Sequence, residues 1–418
     1  MEIAEIRDLD GPNLFMLRPA IKLEIVVPDG SASHEGDRAS PDADPDVVLA
    51  TLEEMLRLLH ERAGQPMPDI VARPLETPGH YAVAFAWSHR RFAIAAARCA
   101  HDLVVGLRAN PDECVDALRQ ILASRFEPDD APGMITNDRR RIPIIGITGT
   151  NGKTTTSRLV AAVMRHGGKR GGLTSSSGVY IDRELVLAGD YTGPSGAQRV
   201  FAEPDVDIAV LETARGGILL RGLGYEQNDV GVVTNVSADH LGLHGIHTVE
   251  GLAEVKSVVV RVTKPDGFAV LNADDPLVLD MRTQVRARPF LVSRMPVSGA
   301  VRGHIERGGW ALTVEDGAIR WWHDGRDEVL TTLDRIPITF GGRAPHMVEN
   351  ALCAAAACLG AGLEPGTVRD GLNVFRNTPE DNRGRLNVYD RDGATVIVDF
   401  AHNEAGLRQL LAFARHFR

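Results

Sequence analysis

Ile142-Pro143-Ile144-Ile145-Gly146-Ile147-Thr148-Gly149-Thr150-Asn151-Gly152-Lys153-Thr154-Thr155-Thr156 carries three patterns in succession. An apolar, β-branched run gives way to a Gly-Thr-Asn-Gly turn, and the turn to a Lys-Thr pair. Behind them, Thr155 to His166 sets Leu159, Val160, Val163 and Met164 at helical spacing. Strand, glycine-rich loop and helix start make a cradle for a chain of phosphates. Glycines let backbone amides turn inward, and the helix start adds open donors and a partial positive charge. The candidate nucleotide contacts are therefore Gly149, Thr150, Asn151, Gly152, Lys153, Thr154 and Thr155. Lys153, read as an exposed loop residue, brings charge to the outer phosphates, and Thr154 brings a hydroxyl for Mg²⁺. The strict G-x-x-x-x-G-K-[ST] spelling misses by one residue, because Ile147 stands where the first glycine belongs. A flexible turn before an ordinary helix is the plainer alternative; the flanking strand and helix patterns favour the nucleotide site.

Outward from this stretch, composition sets bounds. A chain of 418 residues exceeds one core, so two or three domains are expected. Hydrophobic residues at 44% and charged ones at 24% are ordinary for a globular protein. The net charge of −10 argues against nonspecific nucleic-acid binding. No apolar run approaches the length of a membrane span, and the first residues lack the charged-then-apolar order of a signal peptide. Cys99, Cys114, Cys353 and Cys358 have no C-x-x-C spacing and read as reduced core residues of a cytoplasmic protein.

Residues 1–135 read as a separate α+β module. Its expected strands are Leu14–Leu17, Ile21–Val27 and His80–Trp87, and its helices Leu49–Arg62, Phe92–Leu107 and Asp112–Phe126. Pro28 to Pro45, acidic and rich in Ser, Ala and Pro, reads as a mobile loop. The module shows no catalytic constellation. After a linker, Glu127 to Arg141, strands and helices alternate, which predicts a mostly parallel sheet with flanking helices. Its strand candidates Asp207–Leu211, Asp229–Asn235 and Gly267–Leu271 each end in polar residues, where open α/β sheets gather ligands.

Glu212 ends the first of these, where a carboxylate beside a phosphate loop suits a hard cation. His240, His244 and His247 raise a zinc reading, but no H-E-x-x-H glutamate or cysteine accompanies them, and Gly242 and Gly245 oppose a continuous helix. Lys256, on a helical segment Val249–Val262, reads by itself as a solvated charge. Leu271-Asn-Ala-Asp-Asp-Pro276 reads as a turn. Residues 288–340 read as β-rich decoration, and His346–Gly362 as an Ala-rich helix. Thr174-Ser-Ser-Ser-Gly178 and Thr192-Gly-Pro-Ser-Gly196 are polar loops suited to an acceptor substrate, although glycine-rich turns look alike without one.

Taken together these motifs resemble the Mur ligases, amide-forming enzymes, and within them the cyanophycin synthetase branch. Thr148-Gly-Thr-Asn-Gly-Lys-Thr-Thr155 is similar to that family's ATP loop, and Glu212-Thr-Ala-Arg-Gly-Gly217 to the stretch holding its metal-ligating glutamate. Asp239-His-Leu241 resembles a motif whose histidine, here His240, takes a second Mg²⁺. The resemblance implies that Lys256 is the lysine this family carbamylates to make a metal ligand, with an unmodified lysine contacting phosphate as the competing role. It likewise implies that Asn272 contacts adenine, that Arg385 in Asn382-Arg-Gly-Arg-Leu386 reaches phosphates, and that Asp399 in Asp399-Phe-Ala-His402 bonds ribose. Arg383 stands where the family has proline, and Met347 where the His-Asn-x-x-Asn helix has its first asparagine; Asn350 keeps the second, with packing as its expected role.

The implied metal set is Thr154, Glu212, His240 and Lys256, and the implied catalytic set is Lys153, Lys256 and His240. ATP and two Mg²⁺ ions are the implied cofactors. Asp10-Gly-Pro-Asn13 resembles the opening of the cyanophycin synthetase N-terminal domain. That enzyme's ATP-grasp domain is absent between the modules here, which removes one of its two ligation activities. The expected domains are 1–135, the N-terminal α+β domain; 141–378, a P-loop NTPase-like central domain; and 379–418, the start of a Rossmann-like C-terminal domain. A whole such domain needs on the order of 100 further residues. The implied function is ATP-dependent ligation through an acyl phosphate, joining a carboxylate acceptor to an amino-acid or amine donor. The resemblance leaves room for a homo-oligomer. The alternative is a nucleotide-binding regulatory or scaffold protein that has lost ligation.

Overall fold

A computed structural model describes residues 1–27 and 44–417. The expected acidic loop, Pro28 to Pro45, lies outside the described residues except for its last two. Contacts divide the chain into two units. The first comprises Met1–Met134, Leu219–Gly224 and Gly242–Thr248; the second comprises Ile135–Ile218, Tyr225–Leu241 and Val249–Arg418.

The first unit holds a four-stranded antiparallel sheet of β1 (Glu2–Leu9), β2 (Ala20–Val26), β3 (Ile70–Pro74) and β4 (His80–Ala86), in the order β1-β2-β4-β3. Alternation in β2 sends Ile21, Leu23 and Ile25 inward to full burial, where they share a core with Leu52, Leu56 and Leu59 of the helix Pro45–Arg62. Ala96, Ala97 and Ala100 of the helix Arg90–Val104 join the same core. The expected strand at Leu14–Leu17 does not form. Asn13 folds that segment instead: its Oδ1 accepts from the amides of Phe15 and Met16, and its Nδ2 donates to the carbonyls of Gly11 and Arg18. An amide side chain that captures local backbone groups competes with sheet pairing. The strand that pairs with β2 is Glu2–Leu9, whose charged residues hide its pattern in the sequence.

The second unit is built on an eleven-stranded sheet. Its strands are β5 (Ile144–Thr148), β6 (Gly171–Ser175), β7 (Gly178–Ile181), β8 (Glu184–Ala188), β9 (Ile208–Glu212), β10 (Asn228–Val233), β11 (Thr263–Asn272), β12 (Arg288–Ser293), β13 (Trp310–Glu315), β14 (Ala318–His323) and β15 (Arg326–Thr332). They run in the order β15-β14-β13-β12-β11-β10-β5-β9-β6-β7-β8. From β13 to β6 every neighbouring pair is parallel. Every residue of β5 is buried, as a strand covered on both faces must be. Residues 288–332 are therefore not decoration. The helix Gly299–Glu306 carries the chain from β12 into β13 as one more parallel crossover, and the ring of Trp310 packs 4.7 Å from that of Phe268 in β11.

The helices Lys153–His166, Val249–Arg261 and Pro345–Gly360 pack on this sheet. In the last, Ala351, Ala354, Ala355, Ala356 and Ala357 are fully buried, because only a methyl side chain lets a helix come this close. Residues 379–417 form the hairpin β16 (Asn387–Arg391) and β17 (Ala394–Val398) and the helix Glu404–Ala414. They group with the second unit rather than standing apart. All four cysteines are buried and free. Among the described residues no helix is long and apolar enough to cross a membrane.

Candidate active site

In a parallel sheet the polar residues that follow each strand collect along one edge. Here the loop after β5, Glu212 ending β9, Asn235 after β10 and Asp275 after β11 meet around a cavity of about 510 Å³ in the second unit.

The loop after β5 has room for nothing but glycine at two places. Gly149 has φ +150° and Gly152 φ +87°. A Cβ on Gly149 would lie 1.9 Å from Thr234 Oγ1, and one on Gly152 2.1 Å from Asn350 Oδ1. Asn235 pins the loop: its Oδ1 accepts from the Asn151 amide at 2.9 Å and its Nδ2 donates to the Asn151 carbonyl at 3.1 Å. The helix begins at Lys153, and its first internal bond runs from the Thr156 amide to the Gly152 carbonyl at 2.9 Å. The amides of residues 153–155 thus open the helix without intrahelical acceptors.

Lys153 is not the exposed loop residue expected of it. It is half-buried, and its Nζ donates to the carbonyls of Gly149 and Thr150 at 3.1 and 2.8 Å. Burial pushes its pKa down, opposed by the charge of Glu212. Glu212 is 2% exposed; its Oε1 accepts from Thr154 Oγ1 at 3.1 Å, and its Oε2 has no partner among the described residues. Burial pushes this carboxyl up, with Lys153 and Thr154 pulling against the shift. Arg385 donates from Nη2 to Thr154 Oγ1 at 3.3 Å, and its guanidinium lies 4.8 Å from the centre of the Phe400 ring.

Lys256 is no solvated charge either. It is 3% exposed and donates from Nζ to the Gly149 carbonyl at 2.8 Å. Burial drives its pKa well below the usual lysine range, and the charges of Lys153 and Arg215 add to the shift. His240 sits in the left-handed region at φ +50°, largely exposed, with Nε2 3.8 Å from Asp239 Oδ1. Asp239, His240 and His402 offer ligand atoms within 4.8 Å of one another. His247 takes no part in that group; its Nε2 meets Thr77 Oγ1 in the first unit.

Asn272 is not brought to the cavity wall. It is 2% exposed, its Nδ2 donates to the Thr234 carbonyl and its Oδ1 accepts from the Asp274 amide, so the turn it builds already uses both ends of its amide. Asp399 does face the cavity, and its Oδ2 also accepts from the Leu386 amide, holding the turn next to Arg385. Asn350 reaches the cavity as well, besides its packing place in the helix.

Four side chains that line this cavity carry a buried atom with no hydrogen-bond partner among the described residues: Glu212 Oε2, Arg215 Nη1, Ser237 Oγ and His346 Nδ1. Buried polar groups are rarely left unmatched, so their convergence marks a place for a polar ligand. Asn235, Asp239, Glu349 and His402 also line the cavity without a role of their own marked in the sequence, although Asn235 follows β10 just as Glu212 closes β9.

The Mur ligase middle-domain family model matches residues 147–358. Cyanophycin synthetase of Synechocystis sp. is 44% identical over 277 residues, which are 66% of this chain and 32% of that protein. A UDP-N-acetylmuramoylalanine–D-glutamate ligase of Symbiobacterium thermophilum is 33% identical over 240 residues, 57% of this chain and 45% of that one. Among solved structures, a UDP-N-acetylmuramoyl-L-alanyl-D-glutamate–2,6-diaminopimelate ligase superposes with a TM-score of 0.51 at 22% identity, over 66% of this chain and 55% of its own, a likeness of fold alone. The chain spans about a third of the length of the cyanophycin synthetases it matches. With its mostly parallel sheet, its loop after β5 and a family match over half its length, this chain belongs to the Mur ligase family.

Proposed function

We propose that the chain is an ATP-dependent, ADP-forming ligase that joins a carboxylate acceptor to an amino-acid or amine donor through an acyl phosphate. The observation that carries this reading is the buried Glu212 with one oxygen unpartnered among the described residues, beside a glycine loop that a Cβ would fill, the buried Lys256 and the half-buried Lys153.

A carboxylate and ATP are both anions, so their approach needs fixed positive charge. Lys153 and the open amides of residues 153–155 line the cavity where the outer phosphates would bind, and Arg385, joined to Thr154, would supply a second cation. Glu212, Thr154 and His240 are the candidate holders of Mg²⁺, and hard oxygen donors beside phosphates suit that ion better than zinc. When bound, Mg²⁺ neutralises charge between the phosphate oxygens and the acceptor carboxylate. Elemental analysis showing stoichiometric zinc that survives dialysis would overturn this assignment.

Lys256 is proposed to work as a carbamate. Its neutral amine attacks CO₂, a C–N bond forms, and the amine proton leaves to solvent. Burial beside Lys153 and Arg215 favours the neutral amine this step requires. The product is an anion in a cationic pocket and offers oxygen ligands. Asp399 remains the candidate ribose contact. Asn272 is better assigned to its turn than to adenine. Ser176 and Thr192, from the two polar loops, border the cavity and are candidates for the acceptor side. ATP dependence and four free cysteines suit the cytoplasm.

The test is ADP formation with carboxylate-terminated peptides and free amino acids supplied together. Release that requires both substrates supports the ligase. Tight ATP binding with no substrate-dependent ADP would instead favour a regulatory or scaffold role.

A further inference from the structure

We propose that the Glu349 carboxyl reads the edge of the nucleotide base and takes part in the choice between adenine and guanine. The inference rests on the nucleotide site proposed above.

The sheet order orients the cavity. Glu212 and Ser176 follow β9 and β6 on one side of the β5 loop, while Asn235 and Asp275 follow β10 and β11 on the other. If the terminal phosphates face the Glu212 side, the base extends toward the β10–β11 side. The wall there offers Val236 and Met347 to a flat apolar ring, and Glu349 to its polar edge.

Glu349 lies on the helix Pro345–Gly360, with its side chain 14% exposed. Its Oε1 accepts from Asn235 Nδ2 at 2.7 Å, and Asn235 is the residue that pins the phosphate loop. Among the described residues its Oε2 makes no hydrogen bond, and Arg294 Nε lies 3.9 Å from it. The other acids of this wall are already used. Asp275 caps the following helix and accepts from the Val236 amide, while Asp274 holds Ser293 and Arg294. Asn272 is spent on its turn. Glu349 is the acid here with an oxygen to spare.

Its titration falls where it matters. Burial pushes this carboxyl up to about 7, with Asn235 and Arg294 opposing and Asp274 and Asp275 adding to the shift. The titratable neighbours on its own helix are His346, which burial keeps neutral, and Cys353, whose thiol burial holds far up. A protonated carboxyl presents one donor and one acceptor. That matches adenine, whose edge sets a ring nitrogen acceptor beside the N6 donor. An ionised carboxylate only accepts, and so suits the adjacent N1–H and N2–H donors of guanine.

The experiment is calorimetric binding of ATP and of GTP, each with Mg²⁺, to the full chain at about pH 6 and about pH 8.5, either side of the carboxyl's titration. The wild-type preference for ATP over GTP is expected to fall by about tenfold between the two, as the neutral carboxyl is lost. Glu349→Gln keeps a donor and an acceptor at every pH, so its preference for ATP should stay flat. A wild-type preference that does not change with pH, or a Glu349→Gln preference with the same slope as wild type, overturns the inference and leaves the nucleotide site standing. Wild type that binds neither nucleotide overturns both. The wild-type profile needs no variant, so misfolding of Glu349→Gln would not shield the proposal.

Discussion

Asp130 in the first unit and Glu212 in the second are equally buried, each 2% exposed, yet their chemistry runs in opposite directions. Asp130 receives Arg91 Nε at 2.8 Å, the Glu127 amide at 2.9 Å and, more distantly, His89. The hydrogen bond from Arg91 holds its carboxyl far below the usual carboxylate range. Glu212 receives one hydroxyl, keeps one oxygen empty, and is pushed up by burial. Asp130 is held down first by its hydrogen bond from Arg91, whereas Glu212 is pushed up first by desolvation that its few partners do not offset, so low surface exposure alone does not set the direction of a shift. Asp130 has both carboxylate oxygens partnered; Glu212 leaves one open at the cavity.

The sharpest test of that contrast is at the loop. Lys153→Ala should lower ATP turnover by about 10³-fold or more, as expected for removing a charge that acts on the transferred phosphoryl group. Circular dichroism should show the fold retained, because the helix gains alanine at its first position. Full ADP formation by this variant would break the assignment of the cavity.

Lys256 comes next. Lys256→Arg should lose about 10²-fold in activity although it keeps the charge, since a guanidinium cannot become a carbamate. Wild-type activity should also drop when bicarbonate is stripped and recover when it returns. Retention of full activity by Lys256→Arg in stripped buffer would reduce Lys256 to a buried cation bound to the loop carbonyl.

Glu212→Gln should move stability and function in opposite directions. A raised folded pKa costs stability above the ordinary carboxylate range, as the unfolded chain releases its proton first. The amide should therefore raise the melting temperature of the ligand-free second unit by about 2–4 °C, or ~1 kcal/mol, at neutral pH. The gain should vanish below about pH 4, where glutamate is protonated in both states. The variant should also lose the thermal shift that Mg²⁺ and ATP give wild type. A neutral-pH destabilisation would show that Glu212 is satisfied after all.

Asp130→Asn should give the smallest and opposite effect, a lower melting temperature for the first unit. A depressed folded pKa contributes stability above the ordinary carboxylate range and loses it as pH falls. The deficit of the variant should accordingly shrink in acid. A thermal scan at neutral and acidic pH that finds no such convergence would remove the distinction between the two carboxylates.

Much of the site was legible in the chain itself. The loop Gly149 to Thr155 is local in sequence, and the polar ends of β9 and β10 advertise themselves wherever an apolar run stops. Other features were not legible, because burial and pairing are decided at long range. Lys256 reads as an ordinary helix charge until its helix is set against the Gly149 carbonyl. Asn272 reads as a turn residue, and only the fold reveals that its amide is taken by the Thr234 carbonyl. Glu2–Leu9 hides its strand character behind charge, while Leu14–Leu17 looks like a strand until the Asn13 side chain folds it. β12 and β13 pass for decoration because their place in the sheet depends on partners in β11 and across the intervening helix.

By itself the sequence determined the strand–loop–helix order, the glycines at 149 and 152, the alternation that builds a parallel sheet, and the family to which these belong. Those follow from backbone sterics and hydrophobic periodicity, which act over a few residues. Only the tertiary structure decided which charges are left unpaired. Lys256 lost its water, Glu212 kept one empty oxygen, and Glu349 met Asn235 at one wall of the cavity. Desolvation and hydrogen-bond pairing are properties of an enclosed volume, and that volume exists only once distant segments have closed around it.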